Sequence, residues 1–401
     1  MTSEIKQRIE QIRRGEVPER YVKTALGLAP ANWKRYTFGD IYTERKEPGD
    51  ENLPLLMVSI HSGVSDGEVD AAELPKQVKR IEDKSQYKKA VSGDLVFNMM
   101  RAWQGAIGTV RTTGMVSPAY IVAEPNDKAY PLFMDYYSRT PQMINQLDRQ
   151  SYGVTDFRKR LYWDSFAPIS CTLPPIEEQR KIAAILTTQD KVIELKEKRL
   201  AEKQRQKKYL MQQLLTGKKR LPGFLKSWKT VELGEIFNYI QPTAYLVKTT
   251  DYDDSYKTPV LTAGKTFILG YTNETEGVFT KVPVVIFDDF TTATKYVDFP
   301  FKVKSSAMKI LTIKDGLSIV FAYEAMQLIK FTVGGHERHW ISKYSCLTID
   351  IPDIEEQTAI AEVLSAADHE IDLLRQDIEQ EKQKKKALMQ LLLTGIVRVK
   401  T

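Results

Sequence analysis

The chain has 401 residues, a formal net charge of +6, two cysteines, and hydrophobic and charged fractions of 42% and 27%. That length calls for two or more cores, and the composition is that of a soluble globular protein. No apolar run of about 18 residues is present, which argues against a membrane span. The charged start, MTSEIKQRIEQIRRG, is no signal peptide. Cys171 and Cys346 lie too far apart in sequence for a disulfide framework or a zinc motif, so a reducing cytoplasm fits.

In chain order, residues 1–27 read as a short amphipathic helix, with Ile5, Ile9 and Ile12 on one side, followed by a connector. Residues 28–172 form a first globular region. Its segments 53–60, 93–100 and 116–124 are short, apolar and separated by turn residues, which is strand texture. Residues 173–220 read as one long helix, rich in Ala, Leu, Glu, Lys and Gln. A second globular region, 221–350, has strand texture at 282–290, 305–313 and 344–351. Residues 351–401 bring a second long helix.

The two long helices are copies of one another. Sliding the chain by 178 positions aligns 174–217 with 352–395 without a gap, with 20 identities in 44 positions. Pro174 and Pro352 precede the copies, and Gly217 and Gly395 close them. At roughly 1.5 Å per residue, each makes a rod of about 60 Å. Leu186, Ile193, Leu200, Lys207 and Leu214 are spaced by seven, as are Leu364, Ile371, Ile378, Lys385 and Leu392. That spacing marks a seam against another helix, either the other copy or a partner's. A weaker repeat opens each globular region. Trp33-Lys34 and Phe38-Gly39-Asp40-Ile41 return as Trp228-Lys229 and Leu233-Gly234-Glu235-Ile236. The chain is therefore two tandem α+β halves whose globular regions otherwise share little.

Catalytic motifs are missing from the sequence. The single Pro-Pro, Pro174-Pro175, lacks the flanking residues of an amino-methyltransferase loop. There is no Gly-x-Gly-x-x-Gly, and Gly264-Lys265 has Pro259 where a phosphate-binding loop needs its first glycine. His336 and His339 are one residue too close for a zinc-protease helix. Asp288-Asp289 is the best acidic pair, but no third carboxylate accompanies it in the sequence to hold a metal. The pattern is that of a binding subunit without a metal, not an enzyme.

Nucleic acid is the best candidate ligand. Arg101, Trp103, Gln104 and Arg111 fall on a glycine-broken loop after a strand; Arg suits guanine and Gln suits adenine at the major-groove edge. Thr291, Thr292, Lys295, Lys302 and Lys304 form a second cluster. Arg158, Lys159 and Arg160 precede the first helix as Arg338 precedes the second, with Arg160 on Arg338 and Tyr162 on Trp340 at the 178 offset. Eleven basic residues against three acidic ones between Lys191 and Arg220 could also track phosphates, although solvation is the commoner use of such a run. Trp103, Tyr162 and Trp340 could equally be core aromatics. A helical scaffold or adaptor that binds proteins is the competing class, but it leaves the strand-rich regions and basic loops without a use.

IEEQRKIAAIL with LMQQLLTGK, and IEEQTAIAEVL with ALMQLLLTG, resemble the repeated helical regions of Type I restriction–modification specificity subunits. MRAWQGAIG with VSPAY, and VIFDDFTTATKYVDFPFKVKSSAMKIL, resemble segments of their target recognition domains. The resemblance implies two mixed α/β target recognition domains separated by two long antiparallel helices, in a pseudo-two-fold tandem repeat. It implies double-stranded DNA as ligand, with each domain reading one half of a split site. It implies docking of two modification subunits on the helices, with Ile182, Leu186, Leu210, Leu214, Ile360, Leu364, Leu388 and Leu392 as candidate partner-binding residues. Those subunits would bring S-adenosylmethionine for adenine methylation. Restriction subunits, if present, would add ATP and Mg2+; the chain itself would bind no cofactor.

Overall fold

Apolar residues at every second position, and at the positions between, give the central strands two buried faces. In the computed structural model, which describes residues 3–24, 27–65, 86–153, 158–262, 266–332 and 338–399, the chain divides into two units. The first comprises residues 1–195 and 378–401, the second 196–377. Each unit thus takes the beginning of one long helix and the end of the other.

The first unit is built on a four-stranded antiparallel sheet. Its strands lie in the order Tyr42–Glu44, Tyr120–Pro125, Leu95–Asn98, Ile107–Thr109. Leu95, Phe97, Ile121 and Ala123 face a core shared with Phe38, Phe133, Phe166, Ile182, Leu186 and Leu392. Val96 and Val122 face the opposite way, into a second cluster with Leu56, Val58 and Val116. Burial on both faces explains why 93–100 is apolar without alternation. The helices Pro131–Tyr137 and Pro141–Gln150 each carry Pro in the first turn, where its missing N–H costs nothing. Both support this sheet but carried no reading in the sequence.

The second unit repeats the sheet. Phe237–Ile240, Met308–Ile313, Val284–Asp288 and Thr294–Val297 lie in that order, all antiparallel. Val285, Phe287 and Leu311 face a core with Leu214, Phe321, Trp340, Ile360 and Leu364. Val284, Ile286 and Ile310 face a second cluster around Phe279, Phe301 and Val303. A three-stranded sheet of Ile268–Thr272, Thr258–Leu261 and Lys302–Val303 is added beside it.

The weaker repeat proves to be a domain closure. Lys34–Thr37 pairs antiparallel with Ser170–Leu173, and Lys229–Glu232 with Thr348–Ile351. Each is followed by a one-turn helix with a capping box, Thr37 with Asp40 and Glu232 with Glu235. Gly39 and its counterpart Gly234 sit at close approaches. A Cβ at Gly39 would lie 3.3 Å from Ala167, and one at Gly234 3.3 Å from Ser345.

The long helices are Ile176–Leu214 and Ile354–Leu393. Inside each unit their segments run antiparallel. In the first, Glu178 pairs with Arg398, and Asp190 with Lys385 at 2.5 Å. In the second, Lys196 meets Asp377, Lys203 meets Glu370, and Lys207 meets Asp368 at 2.6 Å. The lysines of the seven-residue series, Lys207 and Lys385, are thus cross-helix ion pairs at equivalent positions. Burial opposes the charge on Lys207, but Asp368 and Glu324 outweigh it and hold the ammonium above the usual lysine range. No helix among the described residues is long and apolar enough to cross a membrane.

The IEEQ signature closes each helix start. Glu178 and Glu356 are buried and accept paired hydrogen bonds from Arg398 and Arg220. Gln179 accepts from Tyr130 N at 2.8 Å and donates to the carbonyls of Lys128 and Pro174 at 2.9 Å. Gln357 accepts from Ser318 N and donates to Pro352 O, both at 2.9 Å. Gly395, at φ +71°, lets the chain turn tightly past Pro30, where a Cβ would sit 2.5 Å from the ring.

Candidate nucleic-acid interface

Each central sheet projects one β-hairpin, and the two hairpin tips are built on one plan. In the first unit the tip follows Asn98. The Asn98 carbonyl and side chain accept from Arg101 N at 3.1 Å and Met100 N at 2.9 Å. In the second it follows Asp288, whose carboxylate accepts from Phe290 N at 3.1 Å and from the Thr291 hydroxyl at 2.6 Å. These are Asx-turns, in which a short side chain replaces a backbone acceptor.

The segment before each long helix docks on the same atom of its hairpin. Leu161 N donates to Met99 O at 2.8 Å, and His339 N to Asp289 O at 3.0 Å. Met99 and Asp289 each follow the Asx residue, and Leu161 and His339 match at the 178 offset. The pre-helix segment therefore joins the hairpin to make one surface in each unit. Residues 154–157 and 334–337 of these segments, His336 among them, lie outside the described residues, as does Gly264-Lys265.

On the first surface Arg101, Gln104, Arg158 and Arg160 are exposed. Trp103 is half-buried, donates to Met100 O at 3.0 Å and lies 5.6 Å beneath the Lys159 ammonium. Lys159 also pairs with Asp148 at 3.0 Å. Arg111 is tied inward. It bonds the buried Asp135 at 2.8 Å, which ties the hairpin to the helix behind it. That structural bond uses one guanidinium nitrogen of a side chain still a third exposed, and it stands beside the expected base contact.

On the second surface Thr291, Lys295, Lys304 and Arg338 are exposed and Thr292 is half-buried, with φ +58°. Lys295 and Lys304 lie over the rings of Phe267 and Tyr252. Lys302 must be corrected. It is 1% exposed and bonds Glu276 O at 2.6 Å and the Glu274 carboxylate at 2.9 Å, so its ammonium faces inward. Burial alone would raise the Glu274 carboxyl, but Lys302 and the amides of Thr249 and Lys248 bring it to about 2. Of the three aromatics, Trp340 is core, packed on Phe287 and Tyr344. Tyr162 is half-buried against Tyr152.

Asp288 and Asp289 are not a metal pair. Asp289 is buried and accepts from the amides of His339 and Trp340, with Lys309 at 3.8 Å. Burial holds the Lys309 ammonium below the usual lysine range. Both carboxylates are used to hold the tip, and no cluster of three or more His, Cys, Asp or Glu placed to hold a metal ion occurs among the described residues.

The candidate partner-binding residues also turn inward. Ile182, Leu186 and Leu392 are buried in the first unit's core with Leu388 packed against it; Leu214, Ile360 and Leu364 are buried in the second's with Leu210 packed against it. The seven-residue seam is filled by the chain's own helices and domains. What the sequence reading passed over is a pair of exposed leucines at equivalent positions, Leu195 (65% exposed) and Leu373 (51%). It also passed over Arg220 and Arg398, although both stand at the same distance beyond the repeat glycine.

Two unlike hairpin surfaces stand on one duplicated frame, with antiparallel helix segments inside each unit. The family model for the Type I restriction modification DNA specificity domain matches residues 71–204 and again 226–383, and the chain belongs to that family. It is 55% identical over 140 residues to the EcoR124I/EcoR124II specificity subunit of Escherichia coli, a match that takes in 33% of this chain and 34% of that protein. It is 25% identical to the putative MjaX specificity subunit of Methanocaldococcus jannaschii, over 96% of this chain and 98% of that one. The Type I restriction–modification S subunit from M. genitalium shares the fold, with a TM-score of 0.59 at 13% identity, over 92% of this chain and 97% of that one. A chain from a study of complex assembly and conformational transition in the type I system gives 0.52 at 20% identity, over 92% and 99%.

Proposed function

We propose that this chain is the non-catalytic, sequence-specific DNA-binding subunit of a Type I restriction–modification complex. Each hairpin surface reads one half of a split duplex site and so directs adenine methylation and cleavage by partner subunits. The observation that carries this reading is the equivalence of the two surfaces. The bonds from Leu161 N to Met99 O and from His339 N to Asp289 O fix the same frame, yet the residues displayed on it differ. Arg101, Gln104, Arg158, Lys159 and Arg160 serve one half-site; Thr291, Thr292, Lys295, Lys304 and Arg338 serve the other. Arg and Gln supply paired hydrogen bonds to base edges, and the remaining cations contact phosphates.

Two modification subunits are the expected partners, one for each copy of the helix, with S-adenosylmethionine on those subunits. ATP and Mg2+ enter with a restriction subunit. Because the seam leucines are used internally, docking falls to the outer helix faces, where Leu195 and Leu373 offer equivalent apolar contacts. The cytoplasm is the compartment in which such a complex meets DNA. The test is coexpression with a modification subunit, followed by sequencing of methylated adenines. A single two-part motif that disappears when this chain is omitted supports the assignment; methylation indifferent to the chain refutes it.

A further inference from the structure

Both hairpin tips present a large apolar side chain to solvent at the same place. Met100 is 45% exposed and Phe290 39% exposed. Each lies two residues after the Asx residue and has its amide held by that side chain, at 2.9 Å and 3.1 Å. The loops differ in length, 99–106 against 289–293, and share little sequence. Even so, the anchoring bond and the apolar character of this one position are kept in both units. Around it the two loops present different polar groups, Arg101 and Gln104 in one, Thr291 and Thr292 in the other.

The support beneath these side chains is heavier than an exposed loop needs. Next to Phe290 in the chain, Asp288 and Asp289 are both buried; the Asp289 carboxylate accepts from the amides of His339 and Trp340 and lies 3.8 Å from the buried Lys309 ammonium. Thr292 N closes the turn on Asp288 O at 2.8 Å. Behind Met100, the Trp103 indole donates to the Met100 carbonyl at 3.0 Å and the loop returns through Gly105 at φ +101°. An exposed apolar side chain on a tip held by this many hydrogen bonds is a poor solvent-facing device. It suits a surface that must press against stacked bases, since a flexible tip would yield before the stack does.

We propose that Met100 and Phe290 are equivalent apolar wedges, each pressed into a base step of its own half-site and partly unstacking it. This rests on the DNA-reading function proposed above. Wedges of this kind use Phe, Leu, Ile or Met, and they exchange stacking for a deformed duplex that touches more of the protein. The deformability of the wedged step then adds to specificity without a hydrogen bond. The wedge is the shared part of the two surfaces, and the polar neighbours are the part that differs.

The test uses the complex of this chain with its modification subunits, and duplexes carrying the site mapped by methylation sequencing. 2-Aminopurine is placed at each position in turn. The wild-type complex is expected to raise emission at one step in each half. Phe290→Ala should abolish the rise in one half only and Met100→Ala in the other, each with an affinity loss of about tenfold. Phe290→Leu and Met100→Leu should retain both signals, which separates the wedge from a misfolded tip. A rise confined to the methylated adenine belongs to the modification subunits and overturns the wedge. So does a loss of affinity for thymine-bearing sites with no emission change, which would assign a methyl contact instead. A complex that binds no duplex overturns the DNA-reading function itself, and the wedge with it.

Discussion

Replacing Gln179 or Gln357 by Met tests whether the repeated IEEQ motif ties each helix start to its domain. Methionine matches glutamine in length, so packing is nearly kept while the hydrogen bonds are lost. Gln179→Met strands the Tyr130 amide and the carbonyls of Lys128 and Pro174; Gln357→Met strands the Ser318 amide and the Pro352 carbonyl. Both glutamines are almost wholly buried, so water cannot replace the side chain without opening the joint. Each stranded group costs about 1–3 kcal/mol. Two stranded groups bring the loss to about 2–6 kcal/mol for Gln357→Met, and three bring it to about 3–9 kcal/mol for Gln179→Met. For units of this size, about 2–4 °C per kcal/mol gives a fall in Tm of at least about 4 °C for Gln357→Met and at least about 6 °C for Gln179→Met. Calorimetry reads the fall, and hydrogen exchange reads its site: the Tyr130 amide should lose protection in one variant and the Ser318 amide in the other. Unchanged melting together with unchanged protection at both amides would refute the role given to the motif.

Three further outcomes follow from the surfaces. Arg101→Ala should weaken specific binding by about 1–3 kcal/mol at one base position if it pairs with guanine, read by competition with single-base variants of the site; equal loss on every sequence would make it a phosphate contact. Arg111→Ala should lower the melting temperature through loss of its bond to Asp135; a changed base preference as well would add a base contact to that role, and an unchanged melting temperature would refute the bond. Glu274 is held at about 2 against an ordinary 4.5, so its contribution to stability is complete above about 4.5 and fades as pH falls toward 2. Glu274→Gln should remove that segment of the acid-unfolding curve, and an unaltered curve would mean that Lys302 is paired elsewhere.

The duplicated helices were legible because identity at a fixed offset is independent of packing, and Gly39, Trp33 and the IEEQ residues stood out for the same reason. Their purposes were not legible. Gln179 meets Tyr130 and Glu178 meets Arg398 across long stretches of chain, and no local pattern encodes such pairs. The two-faced burial of Leu95–Phe97 and Val285–Phe287 showed as apolar runs, but a run cannot say that both faces are covered. Lys302 looked like its exposed neighbour Lys304 because charge in sequence carries no burial. Seven-residue spacing says that the helix carrying the seam leucines is covered and leaves open by what, the other copy or a partner. The equivalence of Met100 and Phe290 was hidden because their loops differ in length, and only the shared Asx-turn reveals it.

The central claim, that each globular region reads its own half of the site, is tested most directly by exchanging residues 42–172 for those of a relative with a different specificity. Methylated adenines are then sequenced in cells coexpressing the hybrid with its modification subunit. The account predicts a motif with one half replaced and the other half unchanged. A motif altered in both halves, or in neither while methylation persists, would contradict it.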